Sequence, residues 1–98
     1  MAQIIWAPRA LDDLEHLIAY ISRDAPVTAR RFAQKIIARV ESLQDQPLSG
    51  SFLPEDETRT YRQLIQGNYR VIYRAQEPTV IVVAVHHAAR LLDVGELS

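Results

Sequence analysis

Between Tyr61 and Arg90 this 98-residue chain gathers four arginines, two adjacent histidines and three tyrosines on segments that read as β-strands. Strands that only need to pack do not require that mixture. The side chains fit a surface made to meet something polar, anionic or proteinaceous. Arg70 and Arg74 stand four residues apart, so on a strand their guanidiniums leave one face about 13 Å apart. Such a pair can hold two separate phosphates, or two carboxylates on a partner strand, through bidentate contacts. The plainer reading pairs both arginines with acidic neighbours. His86 and His87 point to opposite faces of a strand, and only His16 and scattered acids remain to complete a ligand set, so no metal site is expected. One of the two histidines is a candidate acid or base, since imidazole titrates near neutrality; the alternative is a hydrogen-bonding residue at a strand end. Ser49 and Ser51 flank Gly50 with nothing resembling a nucleophile elbow or phosphate loop around them.

The elements that must position these residues follow from spacing. Gln3 to Trp6 reads as a first strand. Pro8 suits the first turn of a helix, and Ala7, Leu11, Leu14, Ile18 and Ile21 recur at helical spacing, with Asp12, Asp13, Glu15 and His16 opposite them. The pattern predicts a helix over residues 8 to 22, its early acids near the positive end of the dipole. Asp24, as a capping acid, and Pro26 open a second helix with the stripe Ala29, Phe32, Ala33, Ile36, Ile37, Val40 and Leu43, ending near Gln46 before Pro47. A link so short implies an antiparallel helix hairpin, with Trp6 and Phe32 in the core.

Residues 47 to 59 form the one long irregular segment, of the kind that often carries function. Gly67-Asn68 fits a type II′ hairpin turn pairing residue 66 with 69. That register puts Arg62, Leu64, Val71 and Tyr73 on a face covering the helices. Tyr61, Gln63, Ile65, Arg70, Ile72 and Arg74 fall on the other, read as the open, working face. Residues 80 to 85 are apolar on both faces and mark an interior strand.

Composition narrows the function classes. The chain is 48% hydrophobic and 23% charged, with no cysteine, which removes disulfides and thiolate chemistry. A net charge of −1 disfavours a strong non-specific nucleic-acid binder. From Arg59 to Arg90, however, there are five arginines against one acid, Glu77. No run reaches the length of a membrane span and the opening residues lack a secretory signal pattern, so a cytoplasmic protein is expected. The fold expected is α+β and a single domain over 1–98: an N-terminal strand, then a helix hairpin packed on one face of a small, mainly antiparallel sheet (β-α-α-β-β-β).

Ala10-Leu11-Asp12-Asp13-Leu14-Glu15 with Ile18-Ala19-Tyr20-Ile21 resembles the opening helix of the RelE/ParE superfamily of bacterial toxins. Pro47-Leu48-Ser49-Gly50, Arg62-Gln63-Leu64 and Asn68-Tyr69-Arg70-Val71-Ile72-Tyr73-Arg74 resemble its P-x-x-G, R-x-L and Y-R-[IV]-[IV]-Y landmarks. Val85-His86-His87-Ala88-Ala89-Arg90 resembles its closing H-x-x-R. The resemblance spans nearly the whole chain. It implies the toxin of a type II toxin–antitoxin pair, with no cofactor, neutralised by a small cognate antitoxin that wraps it as helix and strand.

Two activities divide the superfamily: RelE-like members cleave messenger RNA on the ribosome, and ParE-like members poison DNA gyrase. Here the helix-to-sheet loop offers Glu55-Asp56-Glu57 where RelE-like nucleases often carry lysines, and no tyrosine follows Tyr73. The ParE-like reading is preferred, with Tyr61, Arg62, Arg70, Arg74, His87 and Arg90 contacting target or antitoxin. On the alternative, Glu55, Arg62, Arg70 and His87 would form a metal-independent endoribonuclease acting on ribosome-bound mRNA. A binding module that has lost toxicity is the third reading. A homodimer through the helix hairpin, or a toxin–antitoxin hetero-oligomer, fits any of the three.

Overall fold

The computed structural model describes residues 1–97. Strand β1 (Gln3–Trp6) leads into helices α1 (Pro8–Ser22) and α2 (Pro26–Glu41). The sheet continues with β2 (Ser51–Phe52), β3 (Arg62–Gln66), β4 (Tyr69–Gln76) and β5 (Thr79–His87). The spatial order is β1-β5-β4-β3-β2, with β1 parallel to β5 and every other pairing antiparallel. The α+β fold is as expected, with one addition: β2 lies inside the segment read as irregular. Among the described residues no helix is long and apolar enough to cross a membrane.

Both helices start on proline at the first helical position, where the missing N–H costs nothing. Their caps depart from expectation. Ala25, not Asp24, occupies the N-cap of α2 and no side chain caps it. The acids of α1 begin beyond its first turn. Helix α2 stops at Glu41 and tightens into one 3-10 turn, Ser42–Gln44, short of the expected Gln46. Asp13 also leaves the solvent role read for it. Its carboxylate accepts the Val85 N–H at 3.0 Å, on the stretch of β5 that extends past the last β1 pair, Trp6 with Val82.

The β3–β4 hairpin has the expected register, Gln66 opposite Tyr69. Gly67 adopts φ +59° while Asn68 keeps negative φ, as a type II′ turn requires. Ala10, Leu14, Ile36 and Val40 of the helices pack on Leu64, Val71, Tyr73, Val80 and Val82, with Trp6 and Phe32 flanking this core. The opposite face is not open. Leu53, Tyr61, Ile72, Val83, Ala84, Leu92 and Leu97 form a second core there, made by the segment after β2 and the C-terminal stretch folding over the sheet. An open working face would have left Ile72 and Tyr61 exposed, yet they retain 0% and 6% of their surface. Removing that apolar surface from water favours covering the sheet, and two chain segments do so.

A bulge interrupts the β4–β5 ladder: Ile72 faces Ala84, but Tyr73 faces Val82, leaving Val83 extra. It puts both Val83 and Ala84 in the second core. Beyond it, Val85 pairs with Val71 and His87 with Tyr69, on the helix side. An unbulged strand would send His87 to the other face, so the bulge aims this histidine.

Candidate functional site

The arginines and histidines sort into three places. On the covered face, Arg70 is 5% exposed. Its guanidinium forms a bidentate pair with Glu55 (Nη1–Oε1 2.8 Å, Nη2–Oε2 2.9 Å) and donates to the Arg90 carbonyl at 2.9 Å. Glu55 in turn accepts the Leu92 N–H at 3.2 Å. One ion pair therefore stitches the post-β2 segment and the C-terminal stretch to β4. The Arg70 hydrogen bonds hold the Glu55 carboxyl below its ordinary value, against the opposing effect of burial. Asp56 organises the same segment, accepting the N–H groups of Thr58 (3.0 Å), Thr60 (2.8 Å) and Tyr61 (2.9 Å) and the Thr58 hydroxyl. That set holds its carboxyl below the usual range as well, the Thr58 hydroxyl contributing most.

A second knot lies on the helix side at the start of β3. The Tyr73 phenol accepts the Gly50 N–H at 2.9 Å and donates to the Pro47 carbonyl at 2.9 Å. Burial pushes this phenol above its ordinary value, so it remains a protonated donor. Gly50 is required by contact: a Cβ there would lie 2.7 Å from both the Gln63 carbonyl oxygen and the Tyr73 hydroxyl. Arg62 closes the knot through the carbonyls of Gly50 (2.8 Å) and Leu48 (3.2 Å). Its guanidinium also lies 4.0 Å from the Phe52 ring centroid, and that of Arg59 lies 4.3 Å from the same ring. Arg59 sits at φ +56°, in the left-handed region.

The third place is a cleft of about 670 Å³ between α1 and the end of β5, bordered by His16, Tyr20, Tyr69, His86, His87 and Arg90. Tyr69 packs edge-to-face on Phe32 and on His87, both at 5.2 Å between centroids, which locks the His87 ring. His87 Nδ1 accepts the Ala89 N–H at 3.1 Å. His16 Nδ1 lies 2.7 Å from the Asp12 carbonyl oxygen, one helical turn back.

The residues singled out from sequence are thus distributed. Glu55 and Arg70 meet; Arg62 belongs to the Tyr73 knot; His87 and Arg90 border the cleft. Arg62 and His87 share a face, but their partners Tyr73 and Tyr69 are four residues apart on β4, about 13 Å. Arg74 is half-buried, with its Nε enclosed and unbonded. Tyr61 is buried in the second core. His16, Tyr20 and Tyr69 were not singled out as a group. The i, i+4 spacing of the first two on α1 is the one signal that they share a face. Among the described residues no cluster of His, Cys, Asp or Glu could hold a metal ion.

Residues 4–92 match the family profile described as ParE toxin of type II toxin-antitoxin system, parDE. A protein named Toxin RelE2, from Caulobacter vibrioides, is 35% identical over 92 residues, covering 93% of this chain and 100% of the relative. Among solved structures, a chain of the chromosomal ParDE system from P. aeruginosa superposes with a TM-score of 0.75 at 20% identity, over 89% of this chain and 96% of that one. A chain of the RelBE2 toxin-antitoxin complex from Mycobacterium tuberculosis gives 0.66 at 23% identity, over 88% and 96%. These two likenesses concern the fold.

Proposed function

The chain belongs to the ParE family, toxins of type II toxin–antitoxin systems, and on that premise we propose that it arrests growth by poisoning DNA gyrase. A cognate antitoxin neutralises it in the cytoplasm. The observation that carries this reading is the dispersal of the groups a nuclease would need. Cleavage by 2′-hydroxyl attack asks for a base, an acid and a cation around one phosphate. Glu55 and Arg70 are instead spent on each other, Arg62 is spent on backbone carbonyls, and His87 faces a different cleft. A poison acting by contact needs no such convergence.

The contact surface is the uncompensated charge. Among the described residues of the sheet and its loops Arg59, Arg62, Arg74 and Arg90 have no carboxylate within ion-pair distance, as is also true of Arg23, Arg30, Arg31, Lys35 and Arg39 on and beside the helices, whereas Arg9 and Arg70 have one. Arg74, His87 and Arg90 make the contacts with target or antitoxin; Tyr61, Arg62 and Arg70 act by shaping the surface from within. An acidic segment of the antitoxin would complement that charge. The ribonuclease reading has one specific support, the identity to a protein named RelE2.

Purified protein tested in a gyrase supercoiling assay, beside a ribosome-dependent mRNA cleavage assay, separates the two. Inhibited supercoiling with intact messages is expected. Cut messages with unaffected gyrase would overturn the proposal. Normal growth at high induced levels would leave a binding module without toxicity.

A further inference from the structure

We propose that Arg59, stacked on Phe52 at the β2 edge of the sheet, is the docking point for a carboxylate on the surface of the protein that this toxin poisons. The proposal deepens the gyrase reading and rests on it for the identity of that protein. It starts from a backbone outlier. Arg59 sits at φ +56°, where a side chain crowds its own backbone and glycine or asparagine is more easily accommodated. The conformation is imposed from both sides. The Asp56 carboxylate accepts the N–H groups of Thr58 and Thr60, and the Asp56 carbonyl accepts the Arg59 N–H at 3.3 Å. An arginine contributes nothing to such a turn, and strain of this kind points to a use for the side chain.

That side chain is exposed, and among the described residues no carboxylate lies within ion-pair distance of it. Its contact is with a ring: the guanidinium carbon lies 4.3 Å from the Phe52 centroid. Arg62 lies 4.0 Å from the same centroid and is itself anchored on the Gly50 and Leu48 carbonyls. The stack fixes where the Arg59 guanidinium stands while leaving its donors free, which lowers the ordering cost of a bidentate contact with a carboxylate. The class of partner follows from the neighbouring charge. Glu57 is exposed two residues away. A nucleic acid brings a row of phosphates, one charge about every 3.4 Å along each strand, and these would meet Glu57 as well as the arginine. A lone carboxylate on a protein surface meets the arginine alone. Leu48, 58% exposed and tied to Arg62 through its carbonyl, adds an apolar contact of the kind found beside arginines in protein interfaces. Strand β2 is two residues long, too short a ladder for a flexible antitoxin segment to extend, so the patch fits a folded partner.

The test runs the full chain in the gyrase supercoiling assay, with Arg59→Gln to remove the charge and Arg59→Gly to remove charge and strain together. Both should raise the concentration for half inhibition by about tenfold or more, while Arg59→Gly keeps or raises Tm and antitoxin binding is unchanged. Arg31→Gln on α2 should alter none of these. Inhibition by both Arg59 variants equal to that of the wild type would overturn the proposal. So would a lower Tm of Arg59→Gly in step with lost inhibition, which assigns Arg59 to the fold. A matching loss of antitoxin binding, or of binding to duplex DNA alone, would overturn it as well by giving the patch to the antitoxin or to a phosphate. If the wild-type protein leaves gyrase untouched, the gyrase reading fails separately and growth arrest on induction decides. Weakened arrest by Arg59→Gly at equal soluble level, with messages intact in the wild type, supports the docking point on another protein; undiminished arrest, or cut messages, overturns it.

Discussion

Replacing Glu55 with Gln asks whether this carboxylate serves the fold or a reaction. In the fold it neutralises an arginine that retains 6% side-chain exposure. Removing one partner of a buried pair leaves an uncompensated charge and typically costs about 3–5 kcal/mol. Two features reduce that here: Glu55 keeps 20% exposure, so solvent screens part of the interaction, and glutamine still accepts one hydrogen bond from Arg70 or Leu92. About 2–3 kcal/mol is therefore expected, lowering Tm by roughly 10–20 °C for a domain of this size. The pH dependence carries a second signature. Arg70 depresses the folded-state value of Glu55 below 4.5, so the pair's contribution is complete above about pH 4.5 and disappears as pH falls through the depressed value. Wild-type and Glu55→Gln thermal curves should converge on acidification and separate above that point. Growth arrest at a permissive temperature should persist in the variant. Unchanged Tm with arrest abolished would refute the reasoning and make Glu55 a reacting group, whose loss costs on the order of 10²–10⁴ in rate.

Gly50→Ala, whose Cβ would meet a backbone carbonyl and a buried phenol at 2.7 Å, should lose about 1–3 kcal/mol by denaturant unfolding; an unchanged midpoint would mean the knot can shift. Tyr73→Phe strands the Gly50 N–H and the Pro47 carbonyl and should cost about 1–3 kcal/mol on the same measurement. For toxicity, His87→Gln should still arrest growth on induction, because contact poisoning needs no titrating group. Arg74→Ala should weaken arrest without lowering Tm, and the opposite pattern would count against the proposed contact surface.

Local chemistry made the helices legible: continuous apolar stripes, opened by Pro8 and Pro26, need no tertiary context. The hairpin was legible because only Gly67 could supply the positive φ of its turn. Asp24 misled because a cap depends on side-chain geometry, and here the backbone at Ala25 ends the link first. The covered face was invisible for a different reason. Leu53, Leu92 and Leu97 lie in short irregular segments, in Phe52-Leu53-Pro54, Leu91-Leu92 and after Glu96, and apolar groups so short show no period. Arg70 on the nominally polar face looked solvated because its partners lie 15 and 20 residues away. The bulge was masked by the stretch it occupies, since apolar residues on both faces hide a change of phase. His87 was legible as a candidate, but the cleft it faces required α1 and β5 to meet.

The landmarks that carry the resemblance acquire a physical meaning from these contacts. Proline and glycine of P-x-x-G, the arginine of R-x-L and the second tyrosine of Y-R-[IV]-[IV]-Y converge on one knot, Pro47, Gly50, Arg62 and Tyr73. The arginine of the third landmark is the buried clamp on Glu55. Residues engaged in holding the fold report on the architecture and are silent on the target. Among the side chains that folding leaves unaccounted for are Arg74 with its unbonded Nε, exposed Arg90 and Tyr20, and the His16–His87 pair bordering one cleft. None of these side chains fills a core, although the Arg90 N–H donates to the His87 carbonyl at 3.1 Å and His87 Nδ1 accepts the Ala89 N–H in the turn that ends β5. A difference in target between chains of this fold therefore has to reside in positions such as these, and substitutions there should change what the toxin does while leaving how it folds intact.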